Sequence, residues 1–134
     1  MNMNRKFEKQ TSSVLSVLGN PFRVRLALAL AQQEACVCHL EAQLKKRQAY
    51  ISQHLMALRE AGLVDTRRDG KYMYYRLANP AVVKLIWQAA FLAGVSPDEM
   101  PDLERKEPLD KCCCPHCEED DTQTLRVLKE SQVS

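Results

Sequence analysis

Six cysteines stand in two clusters in this 134-residue chain, Cys36-Val37-Cys38 and Cys112-Cys113-Cys114-Pro115-His116-Cys117. Neighbouring thiolates are soft donors that suit As(III), Sb(III), Cd(II), Pb(II) or Zn(II) and leave Mg and Ca to oxygen ligands. Two sulfurs are too few for tight binding, so a shared site is expected, with Cys36 and Cys38 completed by one or more of Cys112, Cys113, Cys114 and Cys117. Three sulfurs favour As(III) or Sb(III); four favour Cd(II), Pb(II) or Zn(II). On a regular helix Cys36 and Cys38 lie about 200° apart, so one ion holds both only where the helix end loosens or starts between them. Capture that distorts such a helix would move whatever the helix supports.

Other readings of the same residues stay open. A Cys-x-Cys on an apolar helix also serves as two buried small hydrophobes. The tail cluster can bind metal with no regulatory consequence, and adjacent cysteines oxidise readily, which suits a thiol redox or persulfide sensor. Cys114-Pro115-His116-Cys117 has dithiol-oxidoreductase spacing but lacks the strand-helix setting that chemistry needs. His39 and His116 are secondary ligand candidates. With no catalytic triad, Gly-rich phosphate loop or paired acid and base, an enzyme is not expected.

The elements that position these residues follow from apolar spacing. A first helix covers Phe7–Leu18, and Gly19-Asn20-Pro21 ends it and starts a second, Pro21–Gln32, with Asn20 as cap and Pro21 in the first turn. A short helix covers Cys36–Leu44, and Lys45-Lys46-Arg47 makes a basic turn. A further helix, Gln48–Ala61, repeats Ile51, Leu55 and Leu58 on one inward face and closes at Gly62. Two alternating runs, Leu63–Arg68 and Lys71–Leu77, flank Asp69-Gly70, the pair a type I′ hairpin turn prefers. That loop pairs Thr66 with Met73 and Val64 with Tyr75 on an apolar face, with Arg67, Tyr72, Tyr74 and Arg76 opposite.

The last clear helix, Pro80–Ala93, has only Lys84 and Gln88 as polar residues, more apolar surface than one small domain covers, so a homodimer packed through it is expected. After Gly94 an acidic, proline-bearing linker of about 18 residues spans on the order of 20–25 Å as a flexible chain. Residues 122–130 have the pattern of one more short helix. The chain thus divides into residues 1–95, a domain of helices and a hairpin expected to dimerise, and residues 96–134, a flexible acidic tail carrying the second cysteine cluster.

Charge agrees with that division. Residues 1–95 hold 14 Lys and Arg against 6 Asp and Glu, or +8, and residues 96–134 hold 5 against 11, or −6. The first part can meet phosphate; the tail cannot. No apolar run is long enough to span a membrane, and the N-terminus has no secretory h-region, so a cytoplasmic protein with reduced thiols is expected.

A short helix, tight turn, second helix and basic hairpin make the winged helix-turn-helix order, mainly α with a β-hairpin wing. Base edges of double-stranded DNA would be met by Ser52, Gln53 and His54, and the backbone by Lys46, Arg47, Gln48 and Tyr50 and by Arg67, Arg68 and Lys71 in the wing. The run Ile51-Ser52-Gln53-His54-Leu55-Met56-Ala57-Leu58-Arg59-Glu60-Ala61-Gly62-Leu63-Val64, with Leu18-Gly19-Asn20-Pro21-Phe22-Arg23 and Cys36-Val37-Cys38-His39-Leu40, resembles the ArsR/SmtB family of metal-sensing repressors over residues 10–93. The resemblance implies a dimer on an imperfect palindromic operator, released when an inducer binds, with As(III) or Sb(III) foremost and Cd(II), Pb(II) or Zn(II) as alternatives. Three positions depart from the pattern. Glu41 replaces a third cysteine, Arg47 replaces a Ser or Thr cap, and Pro80–Ala93 lacks the Asp and His of the family's zinc site.

Overall fold

The computed structural model describes residues 4–104. Helix α1 is Arg5–Leu18, capped by Asn4, whose side chain accepts from the Lys6 amide. Helix α2 is Pro21–Gln32, and the Asn20 side chain accepts from the amides of Phe22 at 2.9 Å and Arg23 at 3.2 Å. That satisfies two of the helix's orphan donors. Strand β1, Ala35–Cys36, leads straight into α3, Val37–Leu44, which ends at Lys45 in the left-handed region. Helix α4 is Gln48–Glu60, followed by β2, Val64–Asp69, and β3, Tyr72–Leu77, and by α5, Ala81–Leu92.

Gly62 and Gly94 take φ +78° and +85° after α4 and α5. At α4 the Gly62 amide donates to the Arg59 carbonyl and the Leu63 amide to Leu58; at α5 Gly94 donates to Phe91 and Val95 to Ala90. Both are Schellman closures, which need a residue tolerant of positive φ at that position.

The strands form an antiparallel sheet in the order β1-β3-β2. The expected hairpin is present, but its turn lies one residue later. Asp69 pairs with Tyr72, leaving Gly70-Lys71 as the loop, and Thr66 faces Tyr75 while Val64 faces Leu77. Among the described residues outside glycine only Lys45 has positive φ, and Gly70 has φ +61°. Positive φ at the first loop residue alone is the II′ pattern; the I′ turn at Asp69-Gly70 would have put a non-glycine residue there too. Each residue's partner moves by two, so the assignment of side chains to the two faces is unchanged.

The core is built around α2, with Leu26, Leu40, Ile51, Leu55, Leu58 and Val64 fully buried. Each is worth roughly 1.5–3 kcal/mol relative to exposure. A smaller cluster joins Cys36 and Tyr74, flanked by Cys38 and Tyr72. Residues 96–104, read as the start of the tail, form a 3-10 turn over Pro97–Glu99, and the Asp102 carbonyl accepts from the Gln32 side chain. The cysteines at 112, 113, 114 and 117, His116 and the helix expected over 122–130 lie outside the described residues. Among the described residues no single helix is long and apolar enough to cross a membrane.

Candidate functional site

The first chemical feature is the thiol pair. Cys36 is the N-cap residue of α3, extended at φ −82° and ψ 167°, and Val37 is the first helical residue. The helix therefore starts between the two cysteines, and their sulfurs stand 3.0 Å apart. The expected 200° separation belongs to a continuous helix. Here the extended backbone at Cys36 turns its side chain back over the first turn, so the sulfurs meet without any unwinding of α3. Neither cysteine is in a disulfide. Cys36 is 3% exposed and Cys38 half-buried.

Among the described residues no group of three or more His, Cys, Asp or Glu side chains is gathered closely enough to hold a metal ion. His39 does not join the pair: it is buried, and its Nε2 lies 2.9 Å from the Gln33 amide nitrogen. Any further ligand must come from elsewhere.

The surroundings of the pair were not legible from the sequence. Strand β1 places Cys36 directly opposite Tyr74 of β3. Tyr74, assigned to the face away from the apolar one, is buried against the thiols, because β1 adds a strand beside β3. The Arg67 guanidinium lies 4.9 Å from the centre of the Tyr74 ring. Its Nε donates to Glu34 Oε2 at 3.3 Å and its Nη2 to Glu34 Oε1, while Asp69 Oδ2 stands 3.9 Å from Nη1. The Glu34 hydrogen bond raises the Arg67 pKa above its ordinary value; burial opposes it, and the nearby carboxylates of Glu34 and Asp69 add to the rise.

The second feature is the helix-turn-helix surface. Lys45, Lys46 and Arg47 are exposed in the turn, and Arg47 caps α4 without a side-chain hydrogen bond, as expected of a residue lacking a short acceptor. Gln48, Tyr50 and Gln53 are exposed and Ser52 is half-buried. Lys46 Nζ lies 5.7 Å from the centre of the Tyr50 ring.

His54 differs from the expectation that it faces the groove. It is 7% exposed, and its Nδ1 accepts from Arg23 Nε at 3.0 Å. Its ring packs with Phe22 and Tyr50 at centroid distances of 5.1 and 4.6 Å. Burial, and secondly the Arg23 charge, hold its pKa below 6.5. A neutral ring with an unprotonated Nδ1 is the form that accepts from a guanidinium. His54 thus supports α4 from behind, and α2 reaches it through Arg23.

In the wing, Arg68 and Lys71 are exposed, with Lys71 Nζ 5.4 Å from the centre of the Tyr72 ring. Arg67, grouped with them in the sequence, is tied to Glu34 instead.

Residues 20–66, the helix-turn-helix and the start of the wing, match the family described as bacterial regulatory protein, arsR family. The chain is 45% identical over 95 residues to the biofilm growth-associated repressor of Agrobacterium fabrum, an alignment covering 69% of this chain and 80% of that one. It is 43% identical over 83 residues to the arsenic resistance transcriptional regulator ArsR1 of Pseudomonas putida, covering 61% of this chain and 62% of that one. The solution structure of the homodimeric winged helix-turn-helix domain of Mb0332 from Mycobacterium bovis is similar at a TM-score of 0.62 and 28% identity, covering 81% of this chain and 98% of that one. With its Asn20-capped α2, its α3-turn-α4 unit and its hairpin wing, the chain belongs to the arsR family of bacterial regulatory proteins, DNA-binding transcriptional regulators and not enzymes.

Proposed function

We propose that the protein is a homodimeric repressor that leaves an imperfect palindromic operator when As(III) or Sb(III) is captured by Cys36, Cys38 and one or more of Cys112, Cys113, Cys114 and Cys117. The observation that carries this reading is the 3.0 Å separation of the two sulfurs at the start of α3. Thiolates sharing a soft ion through ~2.3 Å bonds, at the narrower angle of a three-sulfur pyramid or the wider one of a tetrahedron, sit about 3.3–3.8 Å apart, so the pair has to open by less than about 1 Å. Two donors are thus nearly placed for a soft ion, and α3 precedes the recognition helix α4 by one short turn. The tail cysteines are the economical source of the third sulfur, since the described residues offer no third ligand. The P. putida relative is named for arsenic resistance, which agrees with this choice of ion.

Lys46 and Arg47 of the turn and Arg68 and Lys71 of the wing supply the phosphate contacts, and Ser52 and Gln53 the base-edge contacts, of the dimer on DNA. The test is fluorescence anisotropy of reduced, metal-free, full-length protein on its own promoter DNA, titrated with arsenite, antimonite, cadmium, lead and zinc. Release by arsenite that is lost both in Cys36→Ser and in the variant with serine at 112, 113, 114 and 117 supports the shared site. Release by cadmium or lead alone assigns a divalent-ion sensor with four sulfurs. Release by peroxide or polysulfide, with no ion effective, assigns a thiol redox sensor, for which the close sulfur pair is equally suited.

A further inference from the structure

We propose that Tyr74, with the Arg67–Glu34 ion pair stacked on it, transmits the state of the Cys36–Cys38 pair to the wing, making Arg67 a positioning residue of the wing and not one of its phosphate contacts. The inference rests on the reading of the thiol pair as the sensing site.

The connection is continuous through named contacts. Cys36 and Tyr74 are directly opposed across the β1-β3 ladder, and both are buried in one small cluster with Cys38 and Tyr72 alongside. Directly opposed residues of an antiparallel pair project to the same face, so an atom added to the Cys36 or Cys38 sulfur is added beside the Tyr74 ring. Arg67 lies over that ring and holds both carboxylate oxygens of Glu34 through one edge of its guanidinium, Nε and Nη2. Glu34 sits two residues before Cys36, on the segment that enters β1, whereas Arg67 is on β2, the outer strand of the hairpin. The ion pair therefore bridges the body of the domain to the wing across the strand that carries Tyr74.

The energetic logic is one of packing. A buried cluster has no spare volume, so a group on the sulfur is accommodated by movement of its neighbours. The ring is held on one side by the thiols and on the other by the guanidinium. Its displacement breaks the stacked geometry and with it the bidentate grip on Glu34, and the wing loses its tie to the body. Arg68 and Lys71, exposed near the tip, then no longer keep a fixed distance from α4, and the two halves of the DNA surface lose register. A purely local role for these residues in holding the hairpin together would change stability but not the ratio of operator affinities between occupied and unoccupied thiols.

The experiment uses the full-length protein with serine at 112, 113, 114 and 117, so that only the α3 pair carries thiols. Methyl methanethiosulfonate converts each thiolate to a methylthio disulfide and releases methanesulfinate; mass spectrometry confirms capping and dithiothreitol reverses it. Operator affinity is measured before and after capping for this parent and for its Glu34→Gln and Tyr74→Leu derivatives. Capping is expected to weaken the parent's affinity about fivefold or more and that of each derivative by less than about twofold. Glu34→Gln changes a surface pair and keeps the fold even where Tyr74→Leu does not. Capped derivatives that lose as much affinity as the parent, or a capped parent that loses none, overturn the proposal. A parallel arsenite titration of the wild-type chain keeps the ion question separate: failure of arsenite with success of capping leaves the connection standing and removes the arsenite reading.

Discussion

His54 occupies position i+3 from Ile51 and i−4 from Leu58, inside the apolar stripe of α4. That spacing was available from the sequence, and it places the side chain inward. The polar run Ser52-Gln53-His54 concealed it, because imidazole reads as a base-edge donor until a buried partner is known. The partner, Arg23, is 31 residues away, and no local pattern identifies it. Two outcomes follow for this residue. His54→Leu leaves the Arg23 Nε–H without its acceptor and is expected to lower unfolding free energy by about 1–3 kcal/mol in urea titration. His54→Asn keeps an acceptor near the Nδ1 position and is expected to cost less. The pH dependence has a definite sign. The folded pKa lies below 6.5, so as pH falls the unfolded chain takes up the proton first, and the stability contribution, fully present above about pH 7, declines through the window between 6.5 and the lowered folded value. The difference between wild-type and His54→Asn stability curves should be flat above that window and fall within it; a difference independent of pH from 5 to 8 would show that His54 is already as easily protonated as in the unfolded chain.

Helices with a strong 3.6-residue pattern are legible in the sequence alone. Pro21–Gln32 agrees at both ends because its start is a local cap and its stop is a loss of apolar spacing. Strand β1 is hidden from the sequence, since a two-residue strand is defined by the partner it pairs with and has no period of its own. The thiol site was half legible for the same reason. Cys36-Val37-Cys38 names the donors, but the extended backbone that brings their sulfurs together is imposed by pairing with β3. The wing's faces follow from its alternation and its turn does not, because Asp69-Gly70 and Gly70-Lys71 are both acceptable loops and the choice depends on keeping a non-glycine residue out of positive φ. Gly70→Ala should therefore destabilise the hairpin, by about 1 kcal/mol, seen as faster amide exchange in β2 and β3. The same register leaves Arg68 and Lys71 as the wing's exposed cations near the tip. Changing both to alanine should reduce the magnitude of the slope of log affinity against log salt by about four for the proposed dimer, one for each of the two phosphate contacts in each protomer, while thermal stability stays within about 0.5 kcal/mol. An unchanged slope would remove the wing tip from the DNA interface.

For the whole molecule, the unbalanced feature is the apolar surface shared by α1 and α5. Phe91 and Leu92 are 77% and 88% exposed, and Phe7 and Leu15 of α1 are also largely exposed. Between the two helices lies an apolar groove of about 390 Å³, bordered by Leu15, Leu18, Val24, Leu85, Ile86 and Ala89. Leu85, Ala89 and Leu92 recur at i, i+4 and i+7, so they form one stripe, while Val82 and Ile86 take the buried face. A helix apolar on both sides needs two partners: α2 supplies one, and in the proposed homodimer a second copy of the chain supplies the other. Two-fold symmetry would then present two copies of α4 to a palindrome, each half-site strengthening the other by raising its effective concentration. Leu92→Glu places a charge on that stripe, on a side chain that is solvent-exposed within one chain, so the fold of the single chain has no reason to change. Sedimentation equilibrium should show a monomer with an unaltered far-ultraviolet spectrum, and operator affinity should fall on the order of 100-fold or more as the bivalent gain is lost. Lys84→Glu, on the polar side of the same helix, makes the comparison decisive: it changes charge by the same amount plus one, yet should leave the dimer intact. If both variants bind and sediment as the wild type does, the second copy packs on some other surface, and the exposed stripe of α5 requires a different cover.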